Sequence, residues 1–337
     1  MPAPCAPIEV ELKTFRLAES FRIAHGATAE RQVVRIRRGG GIGEAPFVPY
    51  YREVPHETVA WLKAARTVNQ LPPDGPKAGR LALSILLADL EAQKAAQPLW
   101  KMWGLSARRF PPASRSLGIP VDLPEFAKKI RAHAAQFPVI KLKLGSGNLD
   151  FDEAIVAAAR EAAPHVRMFA DANCGWMPAA AAKIIQRLPR WKIEFVEQPV
   201  GRDSIEPWQE LRALLPAQSL PLFADESAQS AQDIPRLSGL VEGVNIKLVK
   251  CGGLDRAREM ISAARAHGLR VLLGCMIESS VGITAAAHLA PLADLLDLDG
   301  HLYLADDDFV GATYDGEGRL ILPTAPGLGC REKSGVV

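Results

Sequence analysis

The sequence predicts an α/β fold: a barrel of eight parallel strands alternating with helices, preceded by a smaller α+β domain. Three observations predict it. From about residue 115, short apolar segments recur with starts separated mostly by roughly 22–28 residues, the length of one strand-plus-helix unit. Successive segments end in charged residues. The first 114 residues differ: two of their segments alternate apolar and polar residues by twos, and two others read as helices.

Taken in order, "IEVELKTFRL" and "ERQVVRIRR" read as strands of an antiparallel sheet. "RGGGIGEA" reads as a hairpin turn and not a nucleotide loop, because no helix opens after it. "HETVAWLKAARTV" and "GRLALSILLADLEAQKAAQ" read as helices. These make a capping domain over 1–114. The barrel strands follow over 115–300: "RSLGI", "VIKLKL", "VRMFAD", "IEFVEQ", "PLFADES", "VNIKL", "VLLGC" and "LLDLD". Ala-rich helices lie between them. "FDEAIVAAAREAA" carries Asp152 and Glu153 in its opening turn, where acids suit the helix dipole. "LDRAREMISAARAHG" ends on Gly268, a C-cap residue. A doubly wound sheet is the alternative, but "SLGIPVDLP" has no Gly-rich phosphate turn. The tail, about 301–337, has strand and turn character and is expected to return to the capping domain.

Composition excludes several function classes. The chain has 337 residues, 48% of them hydrophobic, and a net charge of +2, so no nucleic-acid surface is indicated. The five cysteines, Cys5, Cys174, Cys251, Cys275 and Cys330, are odd in number and show no zinc-type spacing, which suits reduced thiols in a cytoplasmic protein. No signal peptide and no membrane span are expected.

The chemistry is expected at the C-terminal strand ends. Asp171, Glu197 and Asp225 end three consecutive strands, and neighbouring strands lie about 5 Å apart, so uncompensated carboxylates there would repel. A divalent cation resolves the repulsion; all-oxygen ligation favours Mg²⁺, with Mn²⁺ as the alternative. Asn173 is expected to orient a ligand or a metal-bound water, and Glu226 to hydrogen-bond a nearby lysine. Lys141 and Lys143 share one face of their strand. Lys143 and Lys247 end strands two and six, which face each other across a ring of eight. A lysine is a poor base at about 10.4, but nearby cations lower it. Two opposed amines that remove and return a proton α to a metal-bound carboxylate carry out racemisation or epimerisation.

"KLKLG", "ADANCGW", "VEQP", "ADES", "NIKLVKCGG" and "GCMIESSVG", in this order, resemble the enolase superfamily and its muconate-lactonizing-enzyme-like subgroup. The resemblance covers essentially the whole chain. It implies a (β/α)7β modified TIM barrel with an N-terminal capping domain completed by the C-terminal tail. It implies Asp171, Glu197 and Asp225 as Mg²⁺ ligands, Lys143 and Lys247 as acid/base catalysts, and Lys141 as the companion that holds the substrate carboxylate. "DLDG" is similar to the Asp-x-Asp motif of dipeptide epimerases, in which Asp297 and Asp299 would hold the substrate's α-ammonium. Met276 and Ile277 would contact the substrate through backbone groups, with Glu278 in support and Ser116 offering a hydroxyl. His25 stands where Ala-Glu epimerases carry an arginine, which puts an acidic second residue in doubt; Tyr50, in "VPYY", favours an apolar or aromatic one.

A Mg²⁺-dependent dipeptide epimerase is therefore expected, with a dipeptide as its partner and homo-oligomerisation left open. The alternatives are an N-acylamino acid racemase, an o-succinylbenzoate synthase or a muconate-type cycloisomerase. From another class, a non-catalytic metal- and ligand-binding barrel remains.

Overall fold

The computed structural model describes residues 7–51, 53–65, 70–106 and 110–334. Its first sheet has three antiparallel strands in the order β1 (Glu9–Ile23), β2 (Gly26–Arg38) and β3 (Gly41–Pro46). Ala24 and His25 form the turn between β1 and β2. Gly39 and Gly40 join β2 to β3 at φ +56° and +85°. Both central positions of this tight hairpin need positive φ, which is why the glycines are there. Helices α1 (Pro55–Ala64) and α2 (Lys77–Lys94) cover the sheet, α2 lying directly on β3. A short α3 (Leu99–Met102) follows.

Eight parallel strands form the barrel in sequential order: β4 (Ser114–Leu117), β5 (Val139–Lys143), β6 (Arg167–Asp171), β7 (Ile193–Glu197), β8 (Leu222–Ala224), β9 (Gly243–Ile246), β10 (Arg270–Gly274) and β11 (Leu295–Asp297). A parallel bridge between Ala113 and Leu296 brings the first strand against the last and closes the ring. The connections run through α4 (Leu123–Ala134), α5 (Leu149–Ala162), α6 (Pro178–Arg187), α7 (Glu206–Leu214) and the one-turn α8 (Ile234–Leu237). Two helices, α9 (Leu248–Cys251) and α10 (Leu254–Ala266), follow β9, and α11 (Ser280–Ala287) precedes β11. After β11 the chain makes only a short 3-10 turn at Gly300–Tyr303, so the architecture is (β/α)7β. All eight expected strand segments and both capping helices are present, the first as far as Ala64; its expected last residues, 66–68, lie outside the described residues. No described helix is long and apolar enough to cross a membrane.

Local signals explain the helix ends. Asp122 caps α4 by accepting from Glu125 N, and Asn148 caps α5 by accepting from Asp150 N and Phe151 N. Gly268, at φ +70°, terminates α10 as expected. Asp152 lies in the first turn of α5 as expected, with Asp150 beside it, whereas Glu153 falls beyond that turn. Asp152 is fully buried and accepts from Gly145 N, Ser146 N and Trp176 Nε1, tying the loop after β5 to the loop after β6.

Strand alternation builds two layers inside the barrel. Val139, Phe169, Phe195, Phe223, Leu272 and Leu295 form a buried apolar floor, with the three phenylalanine rings stacked at 4.4 and 4.2 Å. Two residues further along the same strands stand Lys141, Asp171, Glu197, Asp225 and Asp297. The period of two therefore puts the charged layer directly above the aromatic one. Gly243 makes room for this floor, since a Cβ there would lie 2.3 Å from the Phe223 ring.

The tail returns to the cap as expected. Ala305 N donates to Arg16 O, and Asp308 accepts from Arg35 at 2.7 and 2.9 Å and from Lys13. Strand β12 (Phe309–Val310) pairs with β15 (Arg331–Glu332). The hairpin β13 (Thr313–Tyr314) and β14 (Leu320–Ile321) instead lies on the barrel, where Tyr314 OH donates to Leu298 O and Gly318 O accepts from Ala113 N.

Candidate active site

Register sets the charged layer. Lys143 pairs with Asp171 across β5 and β6, Asp171 pairs with Glu197 across β6 and β7, and Asp225 follows β8 by one residue. One carboxylate oxygen from each of Asp171, Glu197 and Asp225 falls within 4.8 Å of the others, and all three residues are wholly buried. Burial first, and then the neighbouring Asp171 charge, push Glu197 up to about 8. Its Oε2 lies 2.9 Å from Lys141 Nζ but accepts no hydrogen bond. Three convergent all-oxygen donors, one of them with an unsatisfied buried oxygen, fit a hard divalent cation of the Mg²⁺ type.

Four lysines compensate these acids. Lys141 Nζ lies 2.8 Å from Asp297, 2.9 Å from Glu197 and 3.0 Å from Asp171. Lys143 meets Asp171 at 2.6 Å, and Lys247 meets Asp225 at 2.6 Å. Burial acts to lower Lys141, but Asp297, Glu197 and Asp171 outweigh it and hold the ammonium well above the ordinary lysine range. Lys247 is likewise held well above the ordinary lysine range, because Asp225 outweighs burial and the neighbouring Lys141, which corrects the expectation that nearby cations lower it. Asp171 is held below the usual carboxylate range: burial would raise it, and Lys143 and Lys141 win.

The fourth lysine, Lys250, was not singled out from sequence. It is fully buried on α9 and donates to Asp225 Oδ1 at 2.6 Å, Asp225 O at 2.5 Å and Asn245 O at 2.7 Å, which uses all three of its protons. Asn245 Nδ2 in turn donates to Glu197 Oε1 at 2.8 Å. Gln198 Oε1 accepts from Asp225 N and Ser227 N and fixes the turn that presents Asp225. The available signal for Lys250 was a second lysine three residues after Lys247 in an otherwise apolar stretch.

Asp297 and Asp299 stand at the barrel seam. Asp297 Oδ1 accepts from Ser114 and Ser116 hydroxyls at 2.6 and 3.0 Å, and its Oδ2 accepts from Lys141. Asp299 Oδ2 accepts from Ser116 N, Arg115 and Tyr303 OH. The Arg115 guanidinium lies 4.0 Å over the Tyr303 ring, so Asp299 is gripped from both sides. Ser114, Arg115 and Tyr303 are further supports that sequence reading missed.

A cavity of about 280 Å³ lies between this layer and the cap. The barrel contributes Ser116, Lys141, Lys143, Asn173, Lys247, Met276, Ile277, Asp297 and Asp299, and the cap contributes Phe21, Ile23, His25, Arg31 and Tyr50. His25 packs against Tyr50 with ring centroids 4.9 Å apart, and Tyr50 OH reaches Met276 Sδ. Arg31, another residue missed from sequence because it sits on a strand, donates to Phe47 O, and its Nε has no partner. Glu278 lies outside the cavity lining; its Oε1 accepts from Met276 N, and burial pushes the carboxyl up to about 8. Glu226 corrects an expectation. It bonds no lysine; its Oε1 accepts from Asn173 Nδ2 at 3.0 Å and lies 3.8 Å from His25 Nε2. Asn173 also reaches Asp171, through its backbone N at 2.9 Å and its amide at 3.4 Å.

Residues 124–333 match the family model for the enolase C-terminal domain-like fold. The chain is 39% identical over 264 residues to the L-Ala-D/L-amino acid epimerase of Pedosphaera parvula (strain Ellin514), covering 77% of this chain and 74% of that protein. It is 38% identical over 254 residues to the hydrophobic dipeptide epimerase of Roseobacter litoralis, covering 74% and 72%. The dipeptide epimerase of Enterococcus faecalis V583, solved with Mg and L-Leu-L-Tyr, superposes with a TM-score of 0.87 at 30% identity over 97% of this chain and 99% of that one. Strand-end carboxylates, opposed lysines and sequence likeness thus agree: the chain belongs to the dipeptide epimerase family, in the muconate-lactonizing-enzyme-like subgroup of the enolase superfamily.

Proposed function

We propose that the protein is a Mg²⁺-dependent dipeptide epimerase that inverts the α-carbon of the C-terminal residue by 1,1-proton transfer between Lys143 and Lys247. One observation carries the reading. The two amines come from β5 and β9, half a ring apart, and both line the cavity that also exposes Asp297 and Asp299. A substrate between them is reached from both faces of its α-carbon, which is the geometry inversion requires.

Asp171, Glu197 and Asp225 would hold the Mg²⁺, which supplies positive charge at the substrate carboxylate as the α-proton leaves. Lys141 adds a fixed cation beside that carboxylate. Lys143 takes the proton from one face and Lys247 delivers one to the other, with the roles exchanged for the opposite isomer. Asp297 and Asp299 anchor the free α-ammonium of the dipeptide. The cap keeps water from the reacting carbon. Phe21, Ile23, Tyr50, Met276 and Ile277 give the side-chain region an apolar wall, which suits an apolar or aromatic residue.

Incubation with a dipeptide library in D₂O tests the reading. Dipeptides with apolar or aromatic C-terminal residues are expected to gain one mass unit and appear as two diastereomers. Exchange confined to N-acylated amino acids would overturn the dipeptide reading. Preferential exchange of acidic side chains would overturn the apolar assignment and direct attention to Arg31.

A further inference from the structure

We propose that His25, Cys174 and Glu226 form a second metal site, selective for a thiophilic divalent cation such as Zn²⁺, that fastens the β1–β2 turn of the cap to the rim of the barrel. The three residues come from separate segments: the turn after β1, the loop after β6 and the loop after β8. One ligand atom from each falls within 4.8 Å of the others.

Two observations point to a cation here. Glu226 is 2% exposed, yet its Oε2 has no hydrogen-bond partner. The Cys174 thiol makes no hydrogen bond among the described residues, and His25 Nε2 stands 3.8 Å from Glu226 Oε1, beyond hydrogen-bonding reach. An imidazole, a thiol and a buried carboxylate thus face one another without a proton bridge between them. Zinc bonds of about 2.0–2.2 Å to nitrogen and oxygen set those donors about 3.3–3.6 Å apart, so His25 Nε2 and Glu226, at 3.8 Å, need to close by only a few tenths of an ångström. The rest of the closure falls to rotation of Cys174 and to the exposed His25 turn.

The donor sets of the two sites differ in kind. Asp171, Glu197 and Asp225 offer only oxygen, which suits Mg²⁺; sulfur with imidazole suits zinc. With Mg²⁺ saturating, a soft cation therefore partitions to the mixed site. Its binding displaces the Cys174 thiol proton to solvent and leaves a fourth position for water. Because His25 lines the substrate cavity, fastening it restrains the cap and slows exchange of substrate and product.

Co²⁺ titrated into the full chain at saturating Mg²⁺ is the test. One equivalent is expected to give a thiolate-to-cobalt charge-transfer band, and Zn²⁺ should bleach it. Cys174→Ser should lose the band, bind Zn²⁺ more weakly by at least the about 10–100-fold that loss of an outer-sphere partner costs, and keep its Mg²⁺-supported turnover. His25→Ala, followed by metal binding alone, should weaken the same site. Absence of the band in the wild type, or its persistence in Cys174→Ser, overturns the site whether or not the protein epimerises dipeptides. Zn²⁺ should slow turnover in the wild type and not in Cys174→Ser. Equal slowing in both would assign the effect to the oxygen triad and overturn the fastening.

Discussion

Lys250 and Asp225 form a wholly buried ion pair, with the ammonium 2.6 Å from Asp225 Oδ1 and further bonded to Asp225 O and Asn245 O. Lys247 holds the other oxygen of the same carboxylate. Asp225 is thereby kept well below the ordinary carboxylate range: burial would raise it, and Lys247 and Lys250 outweigh that.

Removing one partner from such a pair exposes the cost of burying the other. Lys250→Met is expected to destabilise the fold by about 3–5 kcal/mol, measured by denaturant unfolding. It should also lower Mg²⁺ affinity by about 10–100-fold. Unchanged values in both measurements would show that Lys250 does not position Asp225.

Lys143→Ala and Lys247→Ala separate the two faces of the reaction. Each variant should lose at least about 100-fold in epimerisation rate while still folding cooperatively, with some loss of stability because each lysine pairs a buried acid. With D₂O as solvent, each should retain exchange with one substrate isomer more than the other. Full activity in both would remove the two-lysine mechanism.

Metal binding should appear in stability. Mg²⁺ at about a hundredfold over its dissociation constant adds about 2.7 kcal/mol by mass action. Chelation should remove that increment, and Asp225→Asn should make the melting temperature nearly insensitive to Mg²⁺. Calorimetric scans with and without chelator decide it.

His288 predicts an acid-sensitive window. Its ring accepts from Trp100 N at Nδ1 and meets Leu328 O at Nε2, so the neutral tautomer joins α11 to α3 and to the tail. Burial pushes it down to about 4. Above about 6.5 both folded and unfolded chains hold a neutral imidazole, and the contribution is complete. As pH falls from 6.5 towards 4 the unfolded chain takes up the proton first, so stability drops, by at most about 3 kcal/mol for this group. Below 4 the loss is finished. His288→Gln should flatten the curve of unfolding free energy against pH in that window. It should not abolish it, because His301 is also pushed down to about 4, mainly by burial.

The parts of the site legible in sequence are those that strand geometry dictates. Asp171, Glu197 and Asp225 could be found because they are charges at the C-terminal ends of three consecutive barrel strands, where the barrel mouth lies. Lys143 and Lys247 could be placed opposite each other by counting strands. What remained hidden depends on contacts between distant segments. Ser114 and Arg115 read as an ordinary strand start, Tyr303 lies in the tail, and Lys250 resembles a solvated helix residue. Glu226, which follows Asp225, was expected to meet a nearby lysine; the rotamer instead takes it to Asn173 and towards His25. Asp152 follows the helix-dipole rule, and its further contacts with two backbone amides and an indole come from loops that sequence spacing does not bring together.

The seam between β4 and β11 has a consequence for biosynthesis. Ser114 and Ser116 enter the chain nearly two hundred residues ahead of their acceptor Asp297. Translation proceeds from the N-terminus, so the carboxylates of β6, β7 and β8 are all made before the strand that completes the ring. A nascent chain therefore carries all three acids of the triad before the residues proposed to anchor a substrate ammonium. The strand that closes the ring, and Asp297 with it, is the last of the eight to be made.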